Sequence, residues 1–275
     1  MFAIDWPSLG AMAAALAVAG FISGLLAGLL GIGGGAVVVI TLYEAFRWAG
    51  VDDAVRLQLA TGTGLAIIAP TTLRSFLAHR ARGVADLAFV KRMSLPVIAG
   101  VVIGSLLVRH SGGSLLKWVW VVMGTVLAVR MYAGKDNWRL GDDIPKSRFV
   151  ELYGVAIGTI SSLMSIGGGA YVVILMTFYG RSIHQAVATS SGFGPLIAVP
   201  GMIGFVWAGW GQPTLPPGTL GYVSLLGAAL AIPSALLAVP IGARLSHGLS
   251  RRQLELSFAV FMTFVVARFL ASLML

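Results

Sequence analysis

Long stretches without any charged residue constrain this chain more than any other feature. Asp, Glu, Lys and Arg are absent from residues 6–43, 57–73, 93–108, 118–129, 152–180, 182–243 and 256–267. Only 11% of the 275 residues are charged and 57% are hydrophobic, whereas about a quarter of a soluble domain is charged. Because a spanning helix takes roughly 20 residues, we predict an all-α polytopic membrane protein with about eight to ten membrane segments.

The charge balance and the rare residue types exclude several classes of function. The net charge of +9 would suggest a nucleic-acid partner for a soluble protein, but here it indicates basic cytoplasmic loops, and we expect no nucleic acid. The absence of cysteine excludes disulfides and thiolate metal sites. The histidines lack ligand spacing, so we expect no metal and no cofactor. The N-terminal segment lacks a basic n-region, and we interpret it as mature sequence.

The chain consists of two similar halves. The matching segments are GIGGGAVVVI at 31–40 with SIGGGAYVVI at 165–174, ATGTG at 60–64 with ATSSG at 188–192, and 115–130 with 253–268. Three matches in the same order indicate duplication. We predict a first transmembrane repeat at 1–134, a cytoplasmic linker at 135–148 and a second transmembrane repeat at 149–275.

The Lys and Arg content of equivalent loops indicates how the two halves are oriented. Residues 74–92 contain five, whereas the equivalent residues 205–220 contain none. The linker region 130–148 contains five, and residues 244–252 contain three. The positive-inside rule places the three basic regions in the cytoplasm and residues 205–220 outside. Equivalent loops then face opposite sides, which predicts an inverted repeat; eight plain spans in a parallel repeat are the alternative.

An inverted repeat needs an odd number of membrane reversals in each half. Long helices at about 54–79, 84–109 and 115–133 supply three. The segments at about 9–46 and 149–180 are too long for one span at 1.5 Å per residue, and a run of three glycines interrupts each. Each half should therefore contain a Gly-broken helical hairpin plus three spanning helices.

The two glycine breaks form the predicted binding site. Unwound backbone inside apolar sequence is costly unless it lines a cavity, and glycine lets a ligand approach the backbone. The helix after each break points its free N–H groups and positive dipole end at the break, and two such ends suit a small anion. The predicted substrate-binding glycines are Gly33, Gly34, Gly35, Gly167, Gly168 and Gly169. Close helix packing through small residues is the alternative.

The second matched element adds hydroxyl groups that could surround an anion together with backbone N–H groups. These candidate substrate-binding residues are Thr61, Thr63, Thr189, Ser190 and Ser191. In the alternative interpretation, the hydroxyls bond to their own helices.

Three charged residues lie close to membrane depth. Arg130 and Arg268 each end a charge-free window that is too short to span, so each is a candidate anion partner or gate. Snorkelling to the headgroups is the alternative. Glu44 is the acid near a glycine break and is a candidate for proton coupling. In the alternative interpretation, it marks a solvated helix end beside Arg47.

With these elements, the chain resembles the TauE/SafE family of bacterial membrane proteins, which is associated with export of sulfite and small organosulfonates. The likeness rests on GLLGIGGGAVVVITLYEAF and SSLMSIGGGAYVVILMTFYG, each followed by its ATGTG or ATSSG element. It extends from about residue 10 to 272 and implies a multi-pass transporter of the bacterial cytoplasmic membrane. It also implies that the glycines and hydroxyls named above neighbour the site. The chain departs from the family pattern by lacking a proline shortly after each glycine run.

We therefore predict a secondary transporter, surrounded by membrane lipid, that exports a small anion by alternating access. The predicted anion is sulfite or a C2 organosulfonate such as sulfoacetate. The inside-negative potential contributes about 2.3 kcal/mol per charge per 100 mV, so a uniporter would suffice. The rivals are a non-transporting scaffold or partner subunit, a permease for a different ion, and an intramembrane hydrolase using Ser190 or Ser191. The oligomeric state stays open, with a homodimer as one option.

Overall fold

The fold is almost entirely helical. The computed structural model describes residues 6–30, 34–81, 83–134, 140–245 and 251–274. Five helices belong to the first half, and they are α1 (Trp6–Leu30), α2 (Gly35–Trp48), α3 (Asp53–Ala81), α4 (Leu87–His110) and α5 (Gly113–Ala133). The second half contains α6 (Arg148–Met164), α7 (Gly169–Phe178), α8 (Ile183–Ser190), α9 (Phe193–Ala208), α10 (Leu225–Leu245) and α11 (Arg251–Met274). A short antiparallel hairpin, β1 (Thr219–Leu220) and β2 (Val223–Ser224), precedes α10.

Five segments of the described chain are long and apolar enough to cross a membrane. They are Leu87–His110, Gly113–Ala133, His184–Ala208, Leu225–Gly242 and Glu255–Met274. Large apolar side chains such as Leu95, Leu237 and Phe264 are exposed on these segments. Apolar surface of this extent suits lipid rather than water. The prediction of an all-α polytopic membrane protein is therefore confirmed.

The glycine runs separate a longer helix from a shorter one in each half, as predicted. The chain leaves α1 at Leu30 and enters α2 at Gly35, and it leaves α6 at Met164 and enters α7 at Gly169. Both short helices continue through the positions where the family pattern has a proline. Gly33, one of the predicted site residues, lies outside the described residues.

The segment that follows α7 differs from the single straight span expected there. It is divided into α8 and α9 at residues 191–192, although residues 184–208 are still long enough for one span. Pro195 supplies the physical reason. Its ring nitrogen has no proton to donate to the carbonyl of Ser191, and the ring crowds that carbonyl.

The halves exchange helix partners in a symmetric way. Helix α1 of the first half packs along α10 of the second half. Their equivalents, α6 and α4, pack along each other in the same way. Helix α3 packs against α9, and α5 packs against α11. The contacts of α1 and α3 to α5 with the second half are therefore repeated by the equivalent helices of that half.

Equivalent helices that touch run in opposite directions. Lys117 near the start of α5 contacts Ser272 near the end of α11, and Tyr132 near the end of α5 meets Thr263. Between α3 and α9, Gly194 lies beside Thr72, and Gly201 lies beside Leu65. A parallel repeat would make equivalent helices run the same way. These directions favour the inverted repeat, which stays a prediction.

Two opposite ends of the molecule carry the charged groups. The first, which we call the linker end, is residues 130–134 and 140–148 with Arg92 and Arg252. Arg92 donates to the carbonyl of Pro145 at 3.1 Å, and Arg252 donates to the carbonyl of Met131 at 2.8 Å. Parts of the three basic regions predicted to be cytoplasmic therefore lie together.

The second, which we call the Lys117 end, is residues 43–56, 109–117 and 268–272. Lys117 is buried, and its ammonium group lies 2.6 Å from a carboxylate oxygen of Asp53 and 2.8 Å from the Ser272 hydroxyl. Arg109 donates to the carbonyl of Trp207 at 3.0 Å. Residues near 205–220, which we predicted to be outside, therefore lie at the end opposite the linker.

Candidate anion-binding site

Helix α2 begins where the chain turns closely against α1. The carbonyl of Gly34 accepts hydrogen bonds from the backbone N–H groups of Val37 and Val38 and from the hydroxyl of Ser23 at 3.1 Å. A Cβ atom on Gly34 would overlap the backbone of Ser23. The absent side chain therefore fixes how closely the start of α2 approaches α1.

The second break turns the chain between α6 and α7. Ser165 has a φ of +52°, and Gly168, which precedes the first residue of α7, has a φ of +71°. The N–H of Ile166 donates to the carbonyl of Ser161 at 3.0 Å and closes the turn. Glycine adopts such backbone angles without steric cost, which explains Gly168, whereas Ser165 adopts them against its intrinsic preference.

The two breaks meet in the interior. A Cβ atom on Gly35, the first residue of α2, would overlap the carbonyl oxygen of Ser165 and lie 3.5 Å from the Cα of Ile166. Gly64 in the middle of α3 faces the Ser165 hydroxyl from another side. The positive end of α2 therefore lies against the second break, close to the start of α7. Small-residue packing, our alternative for the breaks, is also present at this contact.

Three buried hydroxyl groups, two of them at or beside the second break, have no hydrogen-bond partner among the residues that the structure describes. They belong to Thr61, Ser161 and Ser165, and all three residues are fully buried. An unpaired buried polar group costs about 1–3 kcal/mol, so each such group in a folded protein calls for an explanation, such as a bound ion or water. A Cβ atom on Gly168 would lie 3.6 Å from the hydroxyl oxygen of Ser161. The Ser161 hydroxyl is therefore next to the start of α7.

Ser161 and Ser165 are not among the site residues predicted from the sequence. Ser165 stands in SIGGGAYVVI where the first half has Gly31. A hydroxyl replacing a glycine inside a duplicated break was the signal that could have identified Ser165. Ser161 lies outside the matched segment, and only the turn of the chain brings it to Gly168.

The remaining predicted glycines border the same region. A Cβ atom on Gly167 would lie 3.5 Å from the Cα of Gly194 and 3.5 Å from the methyl carbon of Thr72. Gly169 is the first residue of α7 and is buried. Of the six predicted glycines, the five within the described residues therefore lie at the two helix starts.

Most hydroxyls of the ATGTG and ATSSG elements are already paired. Thr63 accepts a hydrogen bond from the N–H of Ser224 at 2.8 Å, and Thr189 accepts one from the N–H of Asp86 at 2.9 Å. Asp86 is the N-cap of α4, and Ser224 takes the same role before α10. The sequence match aligned Thr61 with Thr189, but these contacts make Thr63 the counterpart of Thr189.

Ser190 and Ser191 follow the alternative interpretation. Their hydroxyls donate to the carbonyls of Val187 at 2.9 Å and Ala188 at 2.6 Å in their own helix. Thr61 is therefore the member of the ATGTG and ATSSG elements whose buried hydroxyl has no hydrogen-bond partner within the described residues. The tertiary structure brings Ser161 and Ser165 to the second break, and neither belongs to the predicted set. Thr61, which does belong to it, precedes Gly64 by three residues in α3.

Replacing Thr63 by valine tests the bond to the start of α10. The substitution keeps the side-chain shape and leaves the buried N–H of Ser224 unpaired, so the free energy of unfolding should fall by about 1–3 kcal/mol. Thermal and denaturant unfolding of the detergent-solubilised protein measure the change. Thr125→Val is the matched control, since Thr125 is exposed and bonds only to its own helix. Equal stability of the two variants would contradict this role of Thr63.

Arg268 and Arg130 occupy equivalent places at opposite ends of the molecule. The Nε of Arg268 lies 2.7 Å from a carboxylate oxygen of Glu44, near the end of α2. The guanidinium of Arg130 lies 5.9 Å from the ring centre of Phe178, at the end of α7. The last helix of each half thus contacts the short helix of the other half. Glu44 also pairs with Arg47 at 3.3 Å.

The comparisons with known proteins identify the family. The family model described as "Sulfite exporter TauE/SafE" matches residues 16–269. The chain belongs to the TauE/SafE family. It is 30% identical to a "Probable membrane transporter protein" from Haemophilus influenzae over 248 residues, which cover 90% of this chain and 93% of that protein.

A second protein described as a probable membrane transporter, from Methanocaldococcus jannaschii, is 28% identical over 228 residues, covering 82% of this chain and 81% of its own. No solved structure matches the chain. The family and its members establish a multi-pass membrane transporter of the TauE/SafE type. The resemblance stated from the sequence is thereby confirmed.

Arg268 of this TauE/SafE transporter can be tested as an anion partner. Glu44, its partner, follows Gly35 by nine residues, which is roughly 14 Å along α2. We therefore expect Arg268→Gln to leave the KM for sulfite unchanged within about twofold. The Glu44 oxygen that faces Arg268 is buried, so loss of the pair should lower stability by about 1–3 kcal/mol. Flux measurements over a range of sulfite concentrations give the KM. Arg47→Gln is the control, and a much larger KM for Arg268→Gln alone would make Arg268 a substrate contact.

The described part of this TauE/SafE transporter contains no group of three or more His, Asp or Glu residues that could ligate a metal ion. The two breaks offer hydroxyls and backbone N–H groups, which donate hydrogen bonds to an anion. They also bring the Ser165 carbonyl oxygen, an acceptor, against the start of α2.

Proposed function

We propose that this protein exports a small anion, sulfite or a C2 organosulfonate, across the bacterial cytoplasmic membrane by alternating access. The observation that carries the proposal is the meeting of the α2 start with the second glycine break, beside buried hydroxyls that lack partners. The family membership supports the choice of a sulfur oxyanion, because the family model is described as a sulfite exporter.

The chemistry of the breaks suits an anion. The first N–H groups of α2 and α7 have no acceptor within their helices, and each helix start carries about half a positive charge. The hydroxyls of Ser161 and Ser165 add two donors for which residues 6–30, 34–81, 83–134, 140–245 and 251–274 provide no acceptor. An anion bound here would satisfy groups that are otherwise costly to bury.

The arrangement of the short helices supports alternating access. Both α2 and α7 start in the interior, but α2 ends at the Lys117 end and α7 ends at the linker end, where the carbonyl of Phe178 accepts a hydrogen bond from Leu140. Rocking of one half against the other would expose a central site to each side in turn. The exchanged helix partners and the antiparallel equivalent helices supply the symmetry that such a motion needs.

We infer that export is driven by the membrane potential. Glu44, the candidate for proton coupling, is paired with Arg268 and Arg47 at the Lys117 end. An anion leaving a cell moves down an electrical gradient worth about 2.3 kcal/mol per charge per 100 mV. No protonatable group at the breaks is needed for this direction of transport.

We also infer that the protein is not an enzyme. A hydrolase would need Ser190 or Ser191 to be activated by a base, yet both hydroxyls donate to carbonyls of their own helix. The same hydrogen bonds explain why these two residues are serines in a membrane helix.

Flux into and out of proteoliposomes tests the proposal. Purified protein is reconstituted, and the flux of sulfite and of 2-hydroxyethanesulfonate is measured with and without an imposed potential. We expect saturable flux that an outward-directed electrical force accelerates, with K⁺ and Na⁺ at the background of protein-free vesicles. Background flux of every anion, from protein that is folded and inserted, would contradict the transporter proposal and favour a scaffold.

A further inference from the structure

We propose that the anion leaves the central site along a path between α3 and α5, and that Lys117 is a second binding position on this path. There the anion takes the place of the Asp53 carboxylate on the Lys117 ammonium group. This inference rests on the proposed function and adds a site outside the two glycine breaks. The ligand is the same small oxyanion.

Buried polar groups follow one another along α3 from the second break toward the Lys117 end. Gly64 faces the Ser165 hydroxyl, and Thr61 and Gln58 precede it at intervals of three residues, or about 4.5 Å of helix each. The Thr61 hydroxyl and the Gln58 Oε1 atom have no hydrogen-bond partner in the described ranges of the chain. Both side chains are at most 1% exposed. The polar groups of the central site therefore continue toward the start of α3.

Helix α5 contributes the other side of the path. Gly113, Lys117 and Trp120 are buried, and their spacing places them on one face of α5. A Cβ atom on Gly113 would lie 3.5 Å from the Gln58 Oε1 atom, so this face meets α3 at Gln58. The Trp120 indole N–H, also fully buried, has no acceptor within the described residues.

Packing alone does not require these polar groups. The match of 115–130 with 253–268 pairs Trp120 with Phe258, and Phe258 is buried as well. The second half therefore fills the equivalent place with a ring that has no N–H. A buried donor without an acceptor is costly and calls for a ligand or water. Indole, hydroxyl and amide groups can all donate to an oxyanion.

Lys117 supplies the positive charge on this path. Its side chain is 4% exposed, and its ammonium group lies 2.6 Å from Asp53 and 2.8 Å from the Ser272 hydroxyl. The Asp53 side chain is 51% exposed, so Asp53 can turn into water, whereas a buried ammonium group needs an anionic partner. An arriving oxyanion can be that partner while Asp53 is solvated. Asp53 restores the pair when the anion leaves.

Thiol labelling tests the path. The chain contains no cysteine, so an introduced cysteine is its sole thiol. We expect a membrane-impermeant maleimide to label Gln58→Cys and the nearly isosteric Thr61→Cys in proteoliposomes, and labelling to block the flux of 2-hydroxyethanesulfonate. Ala60→Cys is the matched control. Ala60 is fully buried and lies on the face of α3 opposite Gln58, so its cysteine should stay unlabelled.

Removing the charge tests Lys117 as a binding position. Lys117→Gln should lower flux per inserted protein about tenfold or more, and Lys117→Arg should keep most of it. Asp53→Asn combined with Lys117→Gln separates binding from structure, because it removes both charges and keeps a hydrogen bond between the side chains. We expect this double variant to remain as slow as Lys117→Gln while its thermal stability recovers.

The outcomes separate this path from the proposed function. If the cysteines at positions 58 and 61 both stay unlabelled in protein that transports, the path is overturned and the transporter stands. Wild-type flux in the double variant would make the Lys117–Asp53 pair purely structural and overturn the second binding position. Background flux of every anion through the wild-type protein would remove the proposed function, and the path with it.

Discussion

Replacing Ser161 by alanine should weaken sulfite binding by about ten- to a hundredfold while the protein stays as stable as the wild type or becomes more stable. The Ser161 hydroxyl is fully buried and has no hydrogen-bond partner in the described part of the chain. Removing it relieves a cost of about 1–3 kcal/mol in the empty state. In the occupied state, it removes a hydrogen bond to a charged ligand, worth about 1.5–3 kcal/mol.

Calorimetric titration with sulfite and thermal unfolding of the ligand-free protein measure the two effects separately. Ser162→Ala is the matched control, because the Ser162 hydroxyl donates to the carbonyl of Thr159 at 2.9 Å. That variant should lose about 1 kcal/mol of stability and keep the affinity of the wild type. If Ser161→Ala binds sulfite as tightly as the wild type, the hydroxyl does not contact the anion.

Replacing Gly35 by alanine should lower transport at least about tenfold while the protein still inserts into the membrane. The new methyl group would overlap the backbone carbonyl of Ser165, and backbone cannot rotate away as a side chain can. The start of α2 and the second break must therefore separate, which costs about 1–3 kcal/mol. The hydrogen-bond donors of the proposed site would no longer converge.

Two other glycines make this test specific. Gly112→Ala introduces a methyl group with no atom within 4 Å and should transport like the wild type. Gly64→Ala meets the Ser165 hydroxyl at 2.7 Å, which can rotate, so its transport should fall less than that of Gly35→Ala. Proteoliposome flux, normalised to the inserted protein, gives the order of the three variants. Wild-type flux in Gly35→Ala would show that the contact between the breaks is dispensable.

The halves, the long helices and the glycine breaks could all be predicted because hydrophobicity and glycine act locally. Helices α3, α4 and α5 begin and end within about three residues of their predicted bounds. The division between α8 and α9 could have been predicted too, since Pro195 is visible in the sequence. Helix boundaries depend on such nearby residues, which a single sequence contains.

The candidate site was predicted only in part. The glycines at both helix starts were identified from the sequence, whereas Ser161 and Ser165 were not. The hydroxyls of Thr63 and Thr189 accept hydrogen bonds from the starts of α10 and α4 in the opposite half, contacts that the sequence did not indicate, and their place at the anion stays a prediction. A hydroxyl in a sequence has many possible partners, and only the packing of distant helices selects one.

The sequence by itself determined a duplicated, membrane-embedded helical chain with two glycine breaks, since charge-free windows and glycine runs leave few other structures in lipid. Only the tertiary structure decided that α2 starts against Ser165, that Arg268 pairs with Glu44, and which buried hydroxyls lack partners. These relations join residues that are far apart in the chain. They depend on distances of a few ångströms between helices, which no local pattern specifies.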